Sequence, residues 1–99
     1  MKTDQLANAL KALGHPKRLE IFRMIVSSNT DAGFNTACEC PLARLMQKLK
    51  IGAPTVSHHL KELRNANLIV TERRGKNIFA RINSETYAAV MKALSLDQQ

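Results

Sequence analysis

The chain has 99 residues, 44% apolar and only 4% aromatic, with no tryptophan, so it makes one domain that buries roughly 60 to 65% of its unfolded surface. Fifteen Lys and Arg against eight Asp and Glu give a formal net charge of +7, the balance of a domain that meets a polyanion such as nucleic acid. There is no apolar run of the roughly 18 residues a membrane span needs and no apolar signal segment in Met1 to Asn8, and two cysteines do not make a secreted disulfide framework; a cytoplasmic protein without a membrane partner is expected.

In chain order, Thr3 is placed to cap a first helix to Leu13, with Leu6, Ala9, Leu10 and Leu13 on one face, ended by Gly14. Pro16 suits the first position of a second helix to about Val26, whose apolar stripe is Leu19, Phe22 and Val26 flanked by Ile21 and Ile25. The run "SSNTDAGFNT" from Ser27 to Thr36 reads as an exposed loop, because its side chains compete with the helical backbone for hydrogen bonds or favour turns. Pro41 restarts a helix to about Lys50, with Leu42, Leu45, Met46 and Leu49 at helical spacing.

Pro54 then opens a fourth helix to about Ala66. At about 100° per residue, Leu60 and Leu63 lie within about 40° of Val56, whereas His58, Lys61 and Asn65 lie roughly 140 to 200° away. Ser57 and Arg64 border this polar outer face, and His59 lies beside the apolar stripe as a packed or hydrogen-bonded residue. The segment "LIVTERRGKNIFARIN" predicts a strand over Leu68 to Thr71, a charged turn "ERRGKN" and a strand over Ile78 to Ile82. Ser84 caps a last helix to about Leu94, with Tyr87, Val90, Met91 and Leu94 on one side.

The fold class that follows is mainly α with a small β-hairpin (α+β), in the order α-α-α-α-β-β-α: a single winged helix-turn-helix over residues 1–99. A major groove about 12 Å wide accepts one helix, and the outer face of the fourth helix suits it. Ser57, His58, Lys61 and Arg64 offer donors to phosphates and base edges, and Thr55 can reach a phosphate near the helix N-terminus. Arg73, Arg74 and Lys76 concentrate positive charge at the hairpin tip, around a Gly75 that supplies positive φ. Gly-rich phosphate loops, carboxylate pairs at helical spacing and Ser/His/Asp groupings are all missing, so no catalytic residue and no enzyme is expected.

Two segments carry a resemblance. "ALKALGHPKRLEIFRMI" (residues 9–25) is similar to the "LxxPxRLxIL" helix of the ArsR/SmtB family of small winged-helix repressors. "APTVSHHLKELRNANLIVTERRGKNIFARIN" (residues 53–83) resembles that family's "PTVSxHLxxLxxAGLV" recognition helix and its charged wing. The resemblance implies a homodimer packed through the terminal helices, here 3–13 and 84–94, a palindromic double-stranded DNA operator, and in many members release from DNA when a metal or metalloid binds. A domain this small with apolar stripes on both terminal helices independently favours a dimer, whose recognition helices would read half-sites roughly 34 Å apart.

Cys38 and Cys40 are the chain's only thiols and its one candidate site for a soft inducer such as As(III), Sb(III) or another soft metal ion; no cofactor is otherwise required. Pro41 biases Cys40 toward extended backbone, in which residues two apart share a face, and places it as the N-cap of the third helix. The family's Cys-x-Cys sensors often add a third cysteine; here Ala43 occupies that position, and the pair lies about one helical turn further upstream of Pro54. Three roles stay open for the pair: metal or metalloid sensing, thiol oxidation or persulfide chemistry, and no sensing. The last helix has no His and carboxylates only at Glu85 and Asp97, so no zinc site is expected there, and His15 is read as structural. A non-specific architectural DNA-binding protein is the alternative to a repressor.

Overall fold

The computed structural model describes residues 2–31 and 40–95. Their elements run α1 (Thr3–Leu13), α2 (Pro16–Asp31), β1 (Cys40–Pro41), α3 (Leu42–Leu49), α4 (Ala53–Asn65), β2 (Ile69–Arg74), β3 (Asn77–Ile82) and α5 (Ser84–Ala93). The expected four helices, hairpin and final helix are all present, with one short strand added.

Several boundaries differ from the sequence reading, each for a local reason. The N-cap of α1 is Lys2, not Thr3; the Gln5 Oε1 accepts from the Lys2 N–H at 3.1 Å. The N-cap of α5 is Asn83, not Ser84, because the Asn83 carboxamide oxygen accepts the Thr86 N–H at 3.3 Å. Helix α2 continues past Val26 to Asp31, so the first half of the polar run is helical. Ser28 Oγ donates to the Met24 carbonyl at 3.1 Å, which satisfies the hydroxyl on the helix's own backbone instead of breaking it. The remainder of that run lies outside the described residues.

Cys40 is not the cap of α3. Pro41 holds that position, at φ −72° and ψ 143°, and Cys40–Pro41 form β1 along the outside of the wing. The antiparallel sheet has the order β1-β3-β2. Cys40 lies opposite Ala80 and Pro41 opposite Phe79, while β2 pairs with β3 from Ile69 opposite Ile82 to Arg74 opposite Asn77. The hairpin strands are therefore longer than expected, and only Gly75 and Lys76 turn between them. Gly75 has φ 60°, which a glycine at the first central position of a two-residue hairpin turn adopts without a Cβ penalty.

The core gathers one face from every helix. Ile21 and Ile25 of α2, Leu45 of α3, Val56 and Leu63 of α4, Leu68 at the entrance to β2 and Val90 of α5 are fully buried. The expected α2 stripe is rotated: Ile21, Phe22 and Ile25 go inward, and Leu19 stays 40% exposed. Leu10 of α1, Met91 of α5 and Leu94 just after α5 also remain exposed, at 41%, 47% and 46%, so the terminal helices bury only part of their apolar faces within one chain.

Candidate DNA-binding surface

Helices α3 and α4 form the helix-turn-helix. Helix α3 ends at Leu49 and is capped by Lys50, whose φ of 54° and ψ of 43° are left-handed, and Ile51 and Gly52 complete the turn. Gly52 caps α4 in extended geometry, and its carbonyl accepts the Val56 N–H at 3.2 Å. Helix α4 starts at Ala53, with Pro54 inside its first turn where the missing N–H is not needed.

The two sides of α4 separate as the angular pattern requires. Val56, His59, Leu60 and Leu63 are buried, whereas Thr55, Ser57, His58, Lys61 and Arg64 are exposed. Thr55 sits in the first turn, where free backbone N–H groups and the helix dipole favour an anion. Arg64 is engaged within the protein: its Nη1 donates to Thr71 Oγ1 of β2 at 3.1 Å, tying the end of α4 to the wing. Asn67 follows in left-handed geometry at φ 61°, and the Leu68 N–H reaches back to the Leu63 carbonyl at 3.0 Å. That closure turns the chain directly from α4 into β2.

At the wing tip the three predicted cations are not equivalent. Arg73 and Lys76 are exposed on either side of Gly75. Arg74 is held: its Nε donates to Glu72 Oε2 at 2.6 Å, its Nη2 pairs with the same oxygen, and its guanidinium lies 4.9 Å from the centre of the Phe79 ring. Residues two apart on a strand share a face, and Phe79 is the cross-strand neighbour of Glu72. Reading these residues as a turn hid the pairing; reading them as strand exposes it. The sequence reading also passed over Arg44, Lys48 and Lys50, exposed basic residues on α3 and at its end, where the first helix of such a unit crosses the DNA backbone.

The histidines divide as expected. His58 is exposed, and His59 is 5% exposed and packs against His15 with ring centroids 4.8 Å apart. Burial, then the charges of His15, Arg18 and His58, hold the His59 pKa below its ordinary value of 6.5.

Cys38 lies outside the described residues. Among the described residues no group of three or more His, Cys, Asp or Glu side chains converges to hold a metal ion, and no helix is long and apolar enough to cross a membrane. The chain's two thiols are Cys38 and Cys40, a donor type that suits a soft ion.

A family model described as a helix-turn-helix domain matches residues 13–72. The biofilm growth-associated repressor of Xylella fastidiosa is 32% identical over 93 residues, covering 94% of this chain and 73% of that protein. The chain belongs to the ArsR family of winged helix-turn-helix transcriptional regulators. The crystal structure of the transcriptional repressor BigR from Xylella fastidiosa superposes on this ArsR-family chain with a TM-score of 0.67 at 31% identity, over 97% of this chain and 88% of that one. The homodimeric winged helix-turn-helix domain of Mb0332 from Mycobacterium bovis matches with a TM-score of 0.69 at 23% identity, over 91% and 74% of the two chains, a likeness of fold. The family regulates transcription and is not a family of enzymes.

Proposed function

We propose that this ArsR-family protein is a dimeric, operator-specific transcriptional repressor. The observation that carries the reading is the division of α4, with an apolar inner face seated in the core and Thr55, Ser57, His58 and Lys61 displayed outward. In this reading α4 enters the major groove, Ser57, His58 and Lys61 meet base edges and phosphates, and Thr55, Arg73 and Lys76 meet the backbone. Arg64 and Arg74 add charge nearby while each is also engaged within the protein. Two copies joined through α1 and α5 would cover Leu10, Met91 and Leu94 and present two recognition helices to a palindromic operator; the homodimeric Mycobacterium bovis neighbour supports dimerisation.

The test titrates a labelled fragment from upstream of the gene against mixed-sequence duplex at fixed salt. Specific binders commonly exceed non-specific affinity by about 10³ or more, and a ratio below about 10 would favour the architectural alternative. Met91→Glu should shift the protein to monomer in sedimentation and weaken the operator complex; an unchanged dimer would move the interface elsewhere.

A thiol-responsive inducer, such as As(III), Sb(III) or another soft metal ion bound by Cys38 and Cys40, is a second reading. It is favoured by β1, which pairs Cys40 with Ala80 of the wing, so that ligand binding at the motif pulls on a DNA-contacting element. Release of the operator fragment by these ions, lost in Cys38→Ser and Cys40→Ser, supports it. Release that survives both substitutions removes the thiols from the mechanism, and release by persulfide or oxidant alone selects the redox alternative.

A further inference from the structure

The recognition helix carries a histidine that DNA contact does not use. His59 follows His58 but faces inward: its Nδ1 is buried without a hydrogen-bond partner, and its ring meets His15 at 55° between planes. His15 occupies the corner between α1 and α2, and Arg18 lies one turn into α2, donating from Nη1 to the Ala12 carbonyl at 3.3 Å. The imidazole pair is therefore a contact point between the α1–α2 corner and the inner face of α4.

A neutral imidazole fits that seat and a charged one does not. An imidazolium there would lose water without gaining an acceptor at Nδ1. It would face His15 and Arg18 from the α2 side and His58 on its own helix, the last with ring centroids 5.8 Å away. Further along the same side, Lys11 of α1 and Glu62 of α4 line a shallow groove together with Arg18, so the nearby carboxylate already shares its surroundings with two permanent cations.

We propose that the His15–His59 contact is a proton-released latch on the recognition helix, closed while His59 is neutral and opened in mildly acidic solution, with loss of DNA affinity. The proposal rests on α4 being the DNA-binding helix. A closed latch resists the proton, whereas an opened His59 in water accepts it with an ordinary pKa near 6.5. Each pH unit below about 6.5 therefore shifts the closed-to-open ratio up to about tenfold toward open, until the closed form itself titrates.

The experiment measures affinity for the labelled upstream fragment and for mixed-sequence duplex at constant ionic strength from about pH 8 to about pH 5.5, a range in which histidine is the side chain that titrates. Wild type should weaken by up to about tenfold at the acidic end. His58→Gln should keep the loss, and His59→Gln, which cannot take up the proton, should show none. An equal loss in His59→Gln, or no loss in wild type, overturns the latch. Titration of the histidine ring protons by NMR in the free protein gives a second readout, independent of DNA, whose wild-type midpoint depends on no variant's folding. The His59 midpoint should lie below that of an ordinary histidine and rise in His15→Gln; a midpoint at or above about 6.5 overturns the proposal. Absence of DNA binding at every pH would instead defeat the function proposed for α4, leaving the NMR result to decide the latch.

Discussion

Replacing Arg74 removes one charge from the wing and uncovers another. The Glu72 carboxylate is bound by Nε and Nη2 of Arg74, so Arg74→Gln leaves a bare carboxylate at the wing tip. With Glu72, Arg73, Arg74 and Lys76 the tip has three cations against one carboxylate. Arg74→Gln lowers that balance by one charge, Glu72→Gln raises it by one, and the double variant restores it. A charge directed at one phosphate contributes about 0.9 to the slope of log affinity against log salt, so a fourfold rise in salt costs about 3.5-fold per contact. Fluorescence anisotropy over a salt series should show Arg74→Gln weaker with a shallower slope, Glu72→Gln tighter with a steeper one, and the double variant within about twofold of wild type. The side chains of Arg74 and Glu72 are 53% and 54% exposed, so the pair is worth at most about 1 kcal/mol to the fold and melting temperatures should nearly coincide. A double variant as weak as Arg74→Gln alone would refute the reasoning, since Arg74 would then be touching phosphate directly with Glu72 a bystander.

Other consequences are open to direct measurement. Leu63→Ala removes a fully buried side chain from the inner face of α4 and should cost about 2 to 5 kcal/mol in urea unfolding; a smaller loss would mean the recognition helix is less firmly seated than its burial indicates. Asn83→Ala deletes the cap of α5 and should cost about 0.5 to 2 kcal/mol, with Asn83→Ser recovering most of it. Because the folded state holds the His59 pKa down, the unfolded chain binds more protons below about pH 6.5. Stability should then be intact above that value and fall on acidification, by up to about 1.4 kcal/mol per pH unit until the folded pKa is reached. Thermal melting of wild type against His59→Gln isolates this contribution, and identical pH profiles would exclude it.

The two faces of α4 were legible from spacing alone: Val56, Leu60 and Leu63 share one arc and are buried, and the polar outer arc is exposed. A long amphipathic period resists local noise. The features that escaped reading depend on partners distant in sequence or on element length. Nothing in "CP" looks like a strand, and β1 exists because β3 offers Ala80 and Phe79 as partners. Helix α2 reaches Asp31 through residues that ordinarily favour turns, with Ser28 bonded to the backbone of the preceding turn. The Arg74–Glu72 pair became visible only once the strands proved long enough to put both residues on one face. Leu19 was misplaced because a stripe of apolar residues wider than the available core leaves one edge outside.

The short strand β1 has a mechanical consequence. It precedes α3 directly, and β3 follows the recognition helix by way of β2, so pairing Cys40–Pro41 with Ala80 and Phe79 joins the two ends of the DNA-reading unit. Helix-turn-helix and wing thereby form a closed circuit of backbone and hydrogen bonds in place of an open hairpin hung from one hinge. Opening the angle between α4 and the wing therefore means unzipping the two-residue contact of Cys40 and Pro41 with Ala80 and Phe79.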